Sequence, residues 1–194
     1  GPVCLGVAAL FCYDKRVTFK QLSTVLLSMV LPIISTTAYI FLYNPTVRDA
    51  LSGTGSNRTT SGGWGANQVS TILGLGMFII AVRLFTKSPS LGLKILNISI
   101  FSAMAFRALV TMSRGGVLAA ICTIIAFVVI YYTQVSAKKR NDIVMMSILF
   151  LFSIMVTWII SSSQTDGYID LRYQNKDHLG REKSDVSTGR GELV

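Results

Sequence analysis

The chain has 194 residues, of which 51% are hydrophobic and only 14% charged, and it carries a formal net charge of +9. Water-soluble domains average about a quarter charged residues, so this balance excludes an ordinary soluble domain and marks an integral membrane protein. Nucleic-acid binding would place the cations together on one soluble face, whereas here they lie mainly between apolar runs.

The chain begins with Gly1-Pro2 inside an apolar run, without an initiator Met or the layout of a signal peptide. It stops at Val194 within a polar segment, and so reads as the interior of a longer protein. Six apolar runs follow one another, at residues 3–13, 22–43, 69–85, 95–112, 117–133 and 143–160. The first is short and looks truncated. Each of the others approaches the roughly 20 residues that a helix needs to cross the hydrocarbon of a bilayer. Helices satisfy their own backbone in lipid, so the expected fold is all-α, a polytopic transmembrane helical bundle over 1–160. Pro32 lies inside the second run and should kink that helix without ending it. Residues 161–194, with mixed charge and several turn formers, read as the start of a larger loop outside the membrane.

The connectors suggest an orientation. Lys15, Arg16 and Lys20 follow the first run, Arg83, Lys87 and Lys94 flank the turnaround after the third, and Lys138, Lys139 and Arg140 fill the one after the fifth. Together they hold nine of the chain's 18 Lys and Arg residues. Such an excess marks the cytoplasmic side. The opposite, outer side then receives residues 44–66, the Ser113-Arg114-Gly115-Gly116 turn and the tail from Ser161.

Two helices are expected to start on this outer side from glycine-rich entries. One follows Gly62-Gly63-Trp64-Gly65-Ala66-Asn67, with Asn67 placed as an N-cap. The other follows Ser113-Arg114-Gly115-Gly116. A helix N-terminus offers unpaired N–H groups and the positive end of its dipole, and glycine lets a ligand approach the backbone. Glycines at such positions can also be plain turn punctuation. Arg107 is less easily dismissed, because a charge inside an apolar run costs a few kcal/mol unless it snorkels or finds a partner. Were the helix to run on, Arg107, Thr111 and Arg114 would share one face by their spacing. Two guanidiniums there suit an anion, above all a phosphate, whose oxygens match the planar fork. The bland alternative is that Arg107 snorkels and Arg114 meets a lipid headgroup.

Small residues recur at a spacing of four, at Ala66, Ser70 and Gly74 and at Gly116 and Ala120, which allows both helices to pack closely. Cys4, Cys12 and Cys122 lie in apolar runs with no metal-ligand spacing and read as buried thiols. Tyr43, Trp64, Tyr131, Tyr132 and Trp158 read as interfacial belt or packing residues. Two sequon-like triplets, at Asn57 and Asn97, carry no functional signal.

Taken in order, "GGWGANQVSTILGLGMF" (62–78), "TMSRGGVLAA" (111–120) and "STGRGEL" (187–193) resemble the O-antigen ligase and O-antigen polymerase superfamily of bacterial inner-membrane enzymes. The resemblance covers the chain from about Asn44 onward. It implies a C-type glycosyltransferase fold with a large periplasmic loop and transfer of a glycan from an undecaprenyl-diphosphate carrier to a hydroxyl acceptor, with no metal or other cofactor. Lipid A core, a growing polysaccharide or a protein would be the acceptor. By motif, Arg114 and Arg190 carry over as diphosphate-binding arginines that neutralise the leaving group. Arg107 rests on the membrane-depth argument alone, and Asn67, Ser113, Gly115 and Gly116 support the helix starts. The family histidine is expected beyond Val194, and His178 matches no motif. The ending "GRGELV" lacks the tryptophan often found after this element. Competing readings are a transporter or flippase for an anionic or lipid-linked substrate, which would bind nearer the midplane, and a purely structural membrane component.

Overall fold

The computed structural model describes residues 2–43, 54–56, 58–87, 90–177 and 179–182. These form α1 (Pro2–Cys12), α2 (Phe19–Tyr43), α3 (Ala66–Lys87), α4 (Leu91–Val110), α5 (Arg114–Gln134), α6 (Ala137–Gln164) and α7 (Tyr168–Tyr173), with a single 3-10 turn at Thr59–Ser61 before α3. The described part is all-helical apart from one isolated bridge between Lys176 and Glu182. Five helices, α2 to α6, are long and apolar enough to cross a membrane. The first apolar run forms an 11-residue helix, too short to cross by itself.

Most helices exceed the apolar runs that announce them. α6 gains a polar turn at each end, and α4 starts at Leu91, where the Ser90 hydroxyl accepts from the Leu93 amide at 3.4 Å. Apolar residues mark the segment that meets hydrocarbon, and the backbone continues helical into polar flanks because nothing there competes for its hydrogen bonds. α2 continues through Pro32, whose carbonyl accepts from the Thr36 hydroxyl at 2.9 Å.

α3 is the centre of the bundle. α4 and α5 pack along it, α2 covers part of α3 and α4, and α6 turns away from α5 to lie on α4. The core joins Leu73, Met77, Ile80 and Ala81 of α3 with Phe101, Met104 and Ala108 of α4, Ile33 and Ile40 of α2, and Val117, Ala120 and Ile124 of α5. Phe101 meets Phe150 of α6 at 4.4 Å between ring centroids. A hydroxyl pair, Ser102 with Ser153 at 2.8 Å, adds a polar tie between α4 and α6.

The cysteine expectation is corrected: Cys4, Cys12 and Cys122 are all exposed. An apolar residue in a membrane helix can satisfy itself against lipid, so a greasy neighbourhood in sequence does not imply burial within the protein.

The small-residue spacing produces a close crossing of α3 and α5. A Cβ on Gly116 would run into the backbone and hydroxyl of Ser70, and one on Gly74 would stand 2.6 Å from the Gly116 carbonyl oxygen. Gly115 has open space around it. Gly116→Ala is therefore expected to force α3 and α5 apart and to cost about 1–3 kcal/mol of stability. Gly115→Ala should leave thermal unfolding in detergent nearly unchanged. Equal melting of the two variants would contradict the crossing.

Candidate functional site

Helix direction alternates along the bundle, so one end gathers the start of α3, the junction of α4 with α5, and the corner between α6 and α7. Lys15, Arg16, Lys20, Arg83, Lys94, Lys139 and Arg140 lie toward the other end. This separation agrees with the charge asymmetry of the connectors.

The α4–α5 junction departs from expectation in its detail. α4 ends at Val110, so the helix does not run on and Arg107 and Arg114 do not share a helical face. The Thr111 hydroxyl donates back to the Ala108 carbonyl at 2.7 Å, and the Thr111 and Met112 amides donate to Arg107 and Leu109. Met112 then takes a left-handed conformation, φ 57°, with its side chain fully buried. Ser113 is extended, and Arg114 is the first residue of α5. The turn is thus Thr111-Met112-Ser113, with Gly115 and Gly116 in the first helical turn. Gly116 is needed for approach to α3, and neither glycine makes the chain reversal. A long apolar side chain is tolerated at positive φ because its burial offsets a backbone cost of about 1–2 kcal/mol.

Asn67 is likewise not an N-cap. α3 begins at Ala66, and the Asn67 Oδ1 accepts from the Ser113 hydroxyl at 2.7 Å. The Ser70 hydroxyl donates to the Ser113 carbonyl at 3.1 Å. Ser113 is buried and gives α5 no side-chain cap hydrogen bond, since its hydroxyl is engaged by α3. Two hydrogen bonds therefore fix the residue immediately before Arg114.

Arg107 is 1% exposed. Its guanidinium carbon stands 4.1 Å from the centre of the Phe41 ring and 5.7 Å from that of Phe106, a cation–π arrangement that joins α4 to α2. It is folded inward, not extended toward an interface as a snorkelling side chain would be.

The residue that sequence reading missed is Arg172. After α6 the chain turns through Asp166 (φ 49°) and Gly167 (φ 78°) into α7. Asp170 accepts from the Trp158 indole at 3.0 Å and from the Ser162 hydroxyl, while the Tyr173 ring meets Trp158 edge-on at 5.0 Å. Trp158 is thus a packing residue that clamps α7. So held, α7 buries Ile169 and Arg172, and the Arg172 Nε donates to the Met112 carbonyl at 3.1 Å. Burial lowers the affinity of Arg172 for its proton, the nearby charge of Arg114 adds to that, and Tyr173 opposes it. The Tyr173 phenol, whose hydroxyl is buried with no hydrogen-bond partner among the described residues, is pushed up to about 12 by burial against the pull of both arginines.

The structure therefore groups Arg114 with Arg172 and Tyr173, beside Ser113 and the start of α5. Arg114 is half-buried, Gly115 exposed and Gly116 buried. Arg190 and His178 lie outside the described residues. Among the described residues no group of three or more His, Cys, Asp or Glu side chains is placed to hold a metal ion. What the arrangement offers is cationic and hydrogen-bond-donating, suited to an anion. No family model, curated protein or solved structure matches the chain.

Tyr173 gives a pH signature. Its raised value means that the folded state keeps a proton which the unfolded chain loses near pH 10. Stability contributed by this group is full below pH 10 and is lost as pH rises toward about 12. Tyr173→Phe should shrink that alkaline loss and remove the last phenolate to appear in an absorbance titration. An unchanged titration would contradict the burial of this phenol.

Proposed function

We propose that the chain is part of a membrane glycan transferase of the O-antigen ligase or polymerase type, in the bacterial inner membrane with the active face periplasmic. The donor would be an undecaprenyl-diphosphate-linked glycan, and the acceptor a hydroxyl on a sugar, on lipid A core or on a protein. The observation that carries the reading is the convergence of two arginines on the α4–α5 break. Arg114, Arg172 and the positive end of α5 lie together there. A cation on the first residue of a helix opposes the helix dipole, and an anion is the species that relieves this. A diphosphate fits best, because the Arg114 fork and the amides of a helix start match its many oxygens.

In the proposed reaction the acceptor oxygen bonds to the anomeric carbon while the bond from that carbon to the diphosphate oxygen breaks. The electron pair leaves on the diphosphate, and the acceptor proton passes to a base. Arg114 would meet the charge that develops on the leaving group, a contribution of about 2.7–4 kcal/mol for one well-placed donor. Arg190, by its motif, would act with it. The resemblance puts the base beyond Val194. Arg107 contributes less directly, through its field from the last turn of α4. That position near the helix end also disfavours a transporter, which would concentrate such charges near the midplane.

In the full-length protein, Arg114→Ala is expected to lower glycan transfer about 100-fold or more with insertion intact. Arg114→Lys should recover only part of the loss, since an ammonium cannot supply the fork. Arg107→Leu should weaken donor binding by a smaller factor. Normal glycan products from Arg114→Ala would remove the reading.

A further inference from the structure

Arg172 stands 60 residues from the carbonyl it holds, on a six-residue helix that follows the last spanning segment. Nothing in its local sequence signals a role, yet its placement is closely determined. Asp170, two residues earlier, ties α7 to Trp158 and Ser162 of α6, and Ile169 is fully buried. The guanidinium therefore rests on a fixed support.

What it holds is informative. Met112 follows the last turn of α4, where the helix leaves carbonyls without amide partners and the dipole is negative. A cation at such an end is favourable, and guanidinium is a common cap for these carbonyls. Met112 is also the left-handed residue on which the α4–α5 break depends. Two residues later comes Arg114, whose charge acts on Arg172. From the opposite side, Asn67 and Ser70 hold Ser113. The break is thus gripped by α3 at Ser113 and by α7 at Met112, with Arg114 issuing from it.

We propose that Arg172 is a positioning residue for Arg114: by donating Nε to the Met112 carbonyl it fixes the break and so aims Arg114 and the first turn of α5 at a diphosphate-class anion. The anion in this statement rests on the function proposed above, whereas the grip on the break does not. The extramembrane segment after α6 would then be a part of the site and not only a leader into a loop.

The test uses full-length protein in detergent with two readouts. The first is hydrogen exchange in a peptide covering the Thr111 and Met112 amides without ligand. The second is the Kd for geranylgeranyl diphosphate. Arg172→Gln should raise exchange at the break and weaken binding by about tenfold, the factor expected for loss of one charge-assisted hydrogen bond. In an Arg114→Ala background the same change should produce less than about a twofold further loss, because residues acting through one another are not additive. Arg172→Lys, which keeps the charge but not the fork, should restore part of both readouts together. Unchanged exchange in Arg172→Gln, or an additive loss of binding in the double variant, overturns the proposal. Normal diphosphate binding by Arg114→Ala together with loosened exchange in Arg172→Gln overturns the proposed ligand and leaves the grip standing.

Discussion

The close approach of Gly116 to Ser70 is the constraint on which the site depends. Only because Gly116 has no side chain can the first turn of α5 lie against the backbone of α3. That contact brings the Ser70 hydroxyl to the Ser113 carbonyl and the Ser113 hydroxyl to Asn67. Ser113 then enters α5 at a fixed angle, and the direction of Arg114 follows. Packing in a membrane gains little from hydrophobicity between helices and relies on close fit and polar ties. Here the two coincide at one crossing, which couples the rigidity of the bundle to the placement of a cation.

The junction between α4 and α5 also sets two helix dipoles end to end. The negative end of α4 and the positive end of α5 are separated only by Thr111, Met112 and Ser113. Arg172 sits on the favourable side of this junction, at the α4 carbonyls, and Arg114 on the unfavourable side, at the α5 amides. Two arginines at one site thus have opposite electrostatic standing. The first is stabilised by the fold in which it is buried, while the second raises the local potential at the helix start. In the proposed reading, this difference separates a residue that organises the site from one that would meet a ligand.

The sequence carried the spans well and their ends poorly. Five apolar runs correspond to five helices able to cross a membrane, because the length of such a run is dictated by the solvent it must match. The ends are decided by local hydrogen bonds that composition does not record. Gly115 and Gly116 looked like a turn, yet the positive φ falls on Met112, and Gly116 is required by Ser70 of a neighbouring helix and not by the local backbone. Asn67 looked like a cap and is instead a cross-helix acceptor. The spacing of Ser70, Gly74, Gly116 and Ala120 was legible as packing because a period of four places residues on one helical face. Arg172 was not legible at all. Its partner is a main-chain carbonyl, and a backbone acceptor leaves no mark on the identity of the residue that bears it.

Arg107 shows how membrane burial changes the meaning of a charge. In an apolar run it suggested either a reach to the interface or an anion ligand. The structure gives it a third environment, the faces of Phe41 and Phe106, which supply negative quadrupole density in place of water. An aromatic face is a weak acceptor that works where desolvation is already complete. Arg107 therefore serves α2–α4 packing first, and its charge reaches the α4–α5 break only as a field. A site built in this way keeps one guanidinium as ballast below, one as a clamp on the helix end, and one at the start of α5. Of these, Arg114 is the one whose position gives it reason to meet an anion.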